Sequence, residues 1–266
     1  MTLRVYAIAY LIFLYAPIAL LPVFAFNDGT IIAFPLQGFT TDWFATLWTT
    51  QALHDAVGNS LFIAALTAVF STILGVCAAR AGALPHFPGK TGILGFVMLP
   101  LVLPEIIVAV SLLIVLRQIL DFDLSNWTII AAHTLICTPF SIAILNGAFQ
   151  NLDPAFEEAA LDLGETRWSA FRLVILPLVM PGIVSSMLIA FTISLDEFII
   201  AFFLTGSNPT MPVYIWGLLR FPASLPVVMA LGTILVALSI ALLALAEYFR
   251  RRGLARVGAT DAGGFV

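Results

Sequence analysis

The residues of this chain that could do chemistry fall in three places. Glu157, Glu158, Asp162, Glu165, Arg167 and Arg172 crowd into residues 157–172; Glu105 follows Pro104 inside an apolar run; and Asp196 and Glu197 stand side by side. Carboxylates can attract a cation, dock a partner protein, or act as general acid and base. The last use needs a nucleophile or second polar group nearby, and no nucleophile–base set stands out. His54, His86 and His133 are far apart and lack ligand spacing, so no metal site is expected. Cys77 and Cys137 fall in apolar runs and read as small buried packing residues, not as a disulfide or metal pair. The stretch "LPHFPGKT", residues 84–91, ends like a phosphate-binding loop. Leu84 stands where the first glycine is needed, and Pro85 and Pro88 interrupt it, so it reads as a basic turn between two apolar segments. No catalytic residue and no cofactor is assigned to this chain.

What positions these groups is a set of long apolar segments. Hydrophobic residues make up 61% of the 266, charged residues only 10%, and the mean hydropathy is +1.08. One soluble core could not hide that much apolar surface. The net charge of −4 gives no footing for nucleic acid. Six segments are long enough to span a bilayer, at about 5–26, 58–79, 93–116, 127–149, 173–195 and 225–247, in one domain covering 1–266. Val5–Phe26 exceeds a signal-peptide core and lacks a small-residue cleavage site, so it is expected to stay as the first span. With the N-terminus inside, the inner segments hold Arg4, Arg80, Lys90, Arg167, Arg172, Arg250, Arg251, Arg252 and Arg256, and the outer ones only Arg117 and Arg220. That bias predicts both termini inside, and residues 150–172 in the cytoplasm. The outer loops carry Asp28, Asp42, Asp55, Asp121 and Asp123, with Trp43 and Trp48 suited to an interfacial belt.

Asp153 to Gly164 reads as a short helix. Asp153 can cap it, Pro154 suits the first position, and Gly164 suits the end. Phe156, Ala159, Ala160 and Leu163 form a narrow apolar stripe, flanked by Glu157, Glu158 and Asp162. Thr166 can cap a second helix that runs through Trp168 and Phe171 into the fifth span. A short amphipathic helix here can lie in the interface, dock into a soluble partner, or be an ordinary solvated helix. Its acidic flanks favour docking, because interfacial helices favour Lys and Arg.

Glu158-Ala159-Ala160, then Gly164, then Val174-Ile175-Leu176-Pro177 resembles the "EAA" loop of ABC importer permeases, with Val174 where the family usually has Ile. The segments "FNDGTIIAFPLQGFTTDWFATL", "GNSL" at 58–61 and "SLDEFIIAFFLTG" at 194–206 are similar to the second permease subunit of spermidine/putrescine importers. The resemblance implies an all-α membrane protein of the type I (MetI-like) ABC importer permease fold. It implies a coupling helix formed by Phe156, Glu158, Ala159, Ala160, Asp162, Leu163 and Gly164. It also implies a homologous second permease subunit, two ATP-binding subunits that hold ATP and Mg, and an extracytoplasmic solute-binding protein. The location implied is the bacterial cytoplasmic (inner) membrane. Related subfamilies carry amino acids, amines, thiamine or ferric iron, and the different-class alternative is an ATP-independent secondary transporter or channel.

Five residues are candidates for the translocation pathway: Glu105, Asp196, Glu197, Tyr214 and Trp216. Glu105 either lines a cavity opened where Pro100 and Pro104 break the helix, or contacts a partner helix. Asp196 and Glu197 can attract a cation, cap a helix, or reach headgroup water. The run from Leu173 to Leu204 is too long for one untilted crossing, so "FIIAFFLTG" is expected to fold over at the outer side.

Overall fold

A computed structural model describes the backbone of residues 2–83 and 89–257, and side chains as far as residue 241 apart from Thr2 and Leu94. His86, most of the phosphate-loop-like stretch and the side chains of Arg250, Arg251, Arg252 and Arg256 lie outside the described residues. In hydrocarbon each backbone polar group must find its partner within the protein, and a helix does this within one segment. The described chain is accordingly helical, with one isolated antiparallel bridge between Asn27 and Phe39. In chain order α1 is Thr2–Ala25, α2 Asp42–Thr49, α3 Gln51–Ala83 and α4 Lys90–Met98, extended by a 3-10 turn at Leu99–Leu101. α5 is Glu105–Ile114, closing in a π turn at Val115–Ile119, and α6 is Asn126–Gln150. Then come α7 Ala155–Asp162, α8 Arg167–Ala170, a π turn at Phe171–Ile175, α9 Leu176–Asp196, α10 Ile199–Leu204, α11 Met211–Leu218 and α12 Leu225–Val257.

Among the described residues, five stretches are long and apolar enough to cross a membrane: Leu3–Ala25, Gln51–Ala83, Asn126–Gln150, Arg167–Asp196 and Pro222–Ala241. A sixth is made of two pieces, Lys90–Leu101 and Glu105–Ile119, bent by 101° at the break between them. The third span, expected at 93–116, is thus interrupted beside Pro104. A proline has no N–H to continue a helix, and it holds the preceding residue out of the helical region.

The chain divides into two compact units. The first, Met1–Gln51 with Ile215–Val266, packs α1 and α2 against α12. Gly232 lets α12 approach α1: a Cβ there would lie 3.3 Å from Leu21 Cδ1. Residues 26–44 form a small cap in which Phe26 stacks on Phe39 at 5.2 Å and Gln37 N donates to Asn27 Oδ1 at 2.8 Å. Trp43, expected at the interface, donates its indole N–H to the Asn27 carbonyl at 2.8 Å, whereas Trp48 is exposed.

The second unit, Ala52–Tyr214, is a bundle built around α6. Its core joins Ile63 and Ala68 of α3, Val108 and Ala109 of α5, Ile129 and Ile136 of α6, Ala190 of α9 and Ile200 and Leu204 of α10. The helices approach closely at glycines: a Cβ on Gly182 of α9 would lie 2.6 Å from Ala148 Cβ of α6, and one on Gly75 of α3 would lie 2.7 Å from Ser141 Cβ. Small residues at such seams are how helices pack where lipid removes the hydrophobic drive. Cys137 is buried in this core, but Cys77 is exposed on the bundle surface. That corrects its reading as a buried residue. A lipid-facing helix is apolar all round, so apolarity does not separate inward from outward positions.

Candidate functional site

α7 stands at one end of the second unit, between α6 and α8. Asp153 Oδ1 accepts from Ala155 N at 2.9 Å, and the helix starts at Ala155, just after Pro154. It ends in a left-handed turn, with Gly164 at φ +90°. Glu165 N donates to Ala160 O at 3.1 Å and Gly164 N to Leu161 O at 2.9 Å. These are the paired bonds of a glycine-terminated helix, and they satisfy carbonyls that would otherwise be orphaned. Thr166 Oγ1 accepts from Ser169 N at 3.2 Å and opens the next helix. The expected apolar stripe divides: Ala160 is buried against its own chain, while Phe156, Ala159 and Leu163 stay exposed, Leu163 by 86%. Glu158 and Asp162 are exposed as well. α7 therefore presents an uncovered surface of two large apolar side chains flanked by carboxylates. Glu157 turns the other way. Its carboxylate accepts from the Arg80 guanidinium at the end of α3, and that guanidinium lies 5.9 Å from the Phe171 ring centroid.

The pair at the end of α9 behaves differently. Asp196 is exposed. Glu197 is buried and bridges the break to α10, where Oε1 accepts from Ile200 N at 2.8 Å and Oε2 from Ala201 N at 2.9 Å. A carboxylate at a helix start satisfies free N–H groups and meets the positive end of the dipole. His133 Nε2 of α6 lies 3.1 Å from Glu197 Oε2, and His133 Nδ1 is 2.8 Å from Ser194 Oγ. The Nε2 contact has ion-pair distance without hydrogen-bond alignment. A serine, a histidine and a carboxylate thus come together, which corrects the expectation that no such set exists. With His133 at 0%, Ser194 at 4% and Glu197 at 7% exposure, the set has no opening for a substrate and works as a brace.

At the end of the second unit remote from α7, three asparagines join α3, α6 and the loop after α10. Asn126 Nδ2 donates to Asn59 Oδ1 at 2.5 Å, and Asn59 Nδ2 donates to Asn208 O at 2.9 Å. Met211 N donates to Ser60 Oγ at 2.7 Å. The "GNSL" segment is therefore the anchor of the 205–211 loop. Beside it opens a cavity of about 660 Å³ lined by His54, Asp55, Asn59, Asn126, Asn208 and Tyr214. Tyr214 shares this cavity with Asp55; Trp216 belongs to the other unit and is exposed. Glu105 is the first residue of α5 and is exposed at the break. Asp123, counted among the acids of the loops, is paired with Arg117 at 2.7 Å. Among the described residues no three His, Cys, Asp or Glu side chains are grouped to hold a metal.

Residues 71–253 match the family model described as the binding-protein-dependent transport system inner membrane component. This chain belongs to that family. As a transport component it is 33% identical over 240 residues to the Escherichia coli (strain K12) spermidine/putrescine transport system permease protein PotC, covering 90% of each chain. It is 35% identical over 234 residues to the Escherichia coli (strain K12) putrescine transport system permease protein PotI, covering 84% of this chain and 82% of that one. Its fold matches a chain of a bacterial ABC transporter involved in the import of the acidic polysaccharide alginate, with a TM-score of 0.74 at 22% identity over 94% of both chains. The all-α, multi-pass fold of an ABC importer permease is therefore the fold of this chain, and α7 lies within the matched family region.

Proposed function

We propose that this chain is a permease subunit of an ATP-driven importer in the bacterial cytoplasmic membrane, forming half of a path for a small organic cation, a polyamine such as spermidine or putrescine. The observation that carries this reading is its 33–35% identity, over most of its length, to two permeases named for those solutes. The exposed, acid-flanked face of α7 supports the ATP-driven half of it. In this reading α7 is the coupling helix: Phe156, Ala159 and Leu163 enter a cleft of an ATP-binding subunit, with Glu158 and Asp162 at the rim. Ala160 and Gly164 shape the helix from behind. ATP and Mg are held by two such subunits, a homologous permease forms the other half of the path, and a solute-binding protein delivers the cation from outside. Closure of the ATPase pair moves α7, and the two permeases rock between inward- and outward-facing states. Glu105 and Asp196, the exposed acids next to apolar helices, draw the cation along the path. Glu197 holds the break beside Asp196, and Tyr214, which shares its cavity with Asp55, and Trp216 are each an aromatic face open to ammonium groups.

The test is radiolabelled uptake in proteoliposomes holding the full complex and its binding protein. Spermidine or putrescine uptake that depends on ATP is expected, and preferential uptake of an anionic solute overturns the polyamine reading. Uptake driven by an ion gradient with no ATPase bound overturns the importer reading. Glu158→Lys is expected to weaken association with the ATPase. Orientation is tested by single cysteines, with Gly82→Cys and Asp162→Cys labelled only from the cytoplasm and Thr41→Cys and Asn208→Cys only from outside. Labelling of Asp162→Cys in intact cells by an impermeant reagent reverses the topology.

A further inference from the structure

We propose that Arg80 is a positioning residue that ties α7 to the ends of α3 and α9, so that a push on α7 reaches the bundle as a movement of those spans. This rests on the reading of α7 as the coupling helix. α7 has covalent links only through its two flanking turns, at Asp153 and at Gly164. Its buried Ala160 and its packing on α8 and the π turn at Phe171–Ile175 seat the C-terminal half of the helix, and the N-terminal turn needs its own anchor if displacement is to be transmitted. Arg80 supplies that anchor by a polar contact. It lies in the last turn of α3, and its guanidinium bonds the Glu157 carboxylate in the first turn of α7. The same group lies over the Phe171 ring. Phe171 in turn packs against Ala79, Leu145, Phe149, Ile175 and Val179, a core shared by α3, α6 and α9. One side chain thus meets the coupling helix on one side and the root of the fifth span on the other.

The geometry also divides the work of two adjacent acids. The side chains of Arg80 and Glu157 are 28% and 24% exposed, so their pair is partly shielded from water and screened less than a surface pair. Glu158 faces away, on the exposed side of α7. Glu157 holds the helix to its own chain, while Glu158 belongs to the docking face. Arginine suits the first task better than lysine, because a planar guanidinium can bond a carboxylate and stack on an aromatic ring together.

The experiment uses the full complex, with its ATPase subunits and binding protein, in proteoliposomes. ATP hydrolysis and radiolabelled spermidine uptake are measured on the same vesicles, and the readout is uptake per ATP hydrolysed. Arg80→Glu and Glu157→Arg are each expected to lower that ratio about tenfold, and the double reversal to bring it back to within about twofold of the unmodified complex. Arg80→Lys is expected to fall between the unmodified protein and Arg80→Gln. An unchanged ratio in both single reversals overturns the proposal, as does a double reversal no better than the singles. If the reversals do not assemble, Arg80→Gln decides, and a normal ratio there overturns it. The coupling reading is tested separately by cross-linking Leu163→Cys to the ATPase in otherwise unmodified complex. No cross-link overturns that reading, whereas a cross-link together with an unchanged ratio overturns only the role of Arg80.

Discussion

Glu157 and Glu197 both stand near the start of a short helix, and each faces one basic side chain. Their surroundings differ. Glu157 is partly wet, and its partner Arg80 carries a permanent charge. Glu197 is almost sealed, its two oxygens are bound by the backbone N–H groups of Ile200 and Ala201, and the basic group beside it is the fully buried His133. An acid at a solvated end can be one of several that form a surface, with the rest free to meet another protein. An acid within the bundle must have every lone pair answered on the spot, because an unanswered charge there is strongly destabilising. A carboxylate next to an apolar span is therefore not by itself a mark of a solute path. Exposure and partners separate Asp196 from its neighbour.

The contrast can be tested from its largest expected effect to its smallest. Removing the sealed acid should be worst: Glu197→Ala loses a helix cap and leaves two N–H groups unanswered, which should destabilise the chain by about 3 kcal/mol, read from a denaturant titration in detergent. Stability like that of the unmodified chain would erase the contrast. Gly182→Ala tests the dry packing of the same unit without touching charge. Its new methyl group would press on Ala148 Cβ at 2.6 Å, and a loss of about 2 kcal/mol is expected in the same titration. At the wet end the effect should fall on transport instead of folding. Gly164→Val puts a branched side chain at φ +90° and should lower ATP-driven uptake about tenfold, with membrane-inserted protein retained. Normal uptake there would mean that the direction in which α7 leaves its final turn is immaterial. The smallest change is expected for the exposed member of the pair: Asp196→Asn should lower polyamine uptake at low substrate about threefold, with basal ATPase activity and stability kept. A stability loss as large as that of Glu197→Ala would show that the two acids are one structural device.

Much of α7 was legible in the sequence. Asp153, Gly164 and Thr166 act through bonds to residues two to four positions away, and local spacing is what a sequence displays. Pro104 likewise announced the break before Glu105. What was not legible is long-range. Arg80 and Glu157 are 77 residues apart, His133 and Ser194 are 61 apart, and Asn59 and Asn126 are 67 apart. Each polar residue alone looks incidental within its apolar run. Only the crossing of α3, α6 and α9 decides which of them meet. The Phe156–Leu163 stripe shows the same limit from the other side. Its spacing is helical, but which members are covered depends on the π turn at Phe171–Ile175 and on α8, against which α7 packs. Glu197 lay between these cases, since a cap was one of three uses its position allowed.

The interruption between Leu101 and Glu105 lies between two apolar pieces bent by 101°, and Val102 and Leu103 are uncovered there. Hydrocarbon does not tolerate irregular backbone on its boundary, because peptide groups facing it find no partner. Here the N–H groups of Val102 and Leu103 both donate to the Leu99 carbonyl, at 3.0 and 3.3 Å, so the turn answers its own donors. The break is thus a place where the chain turns by 101° with those donors still paired.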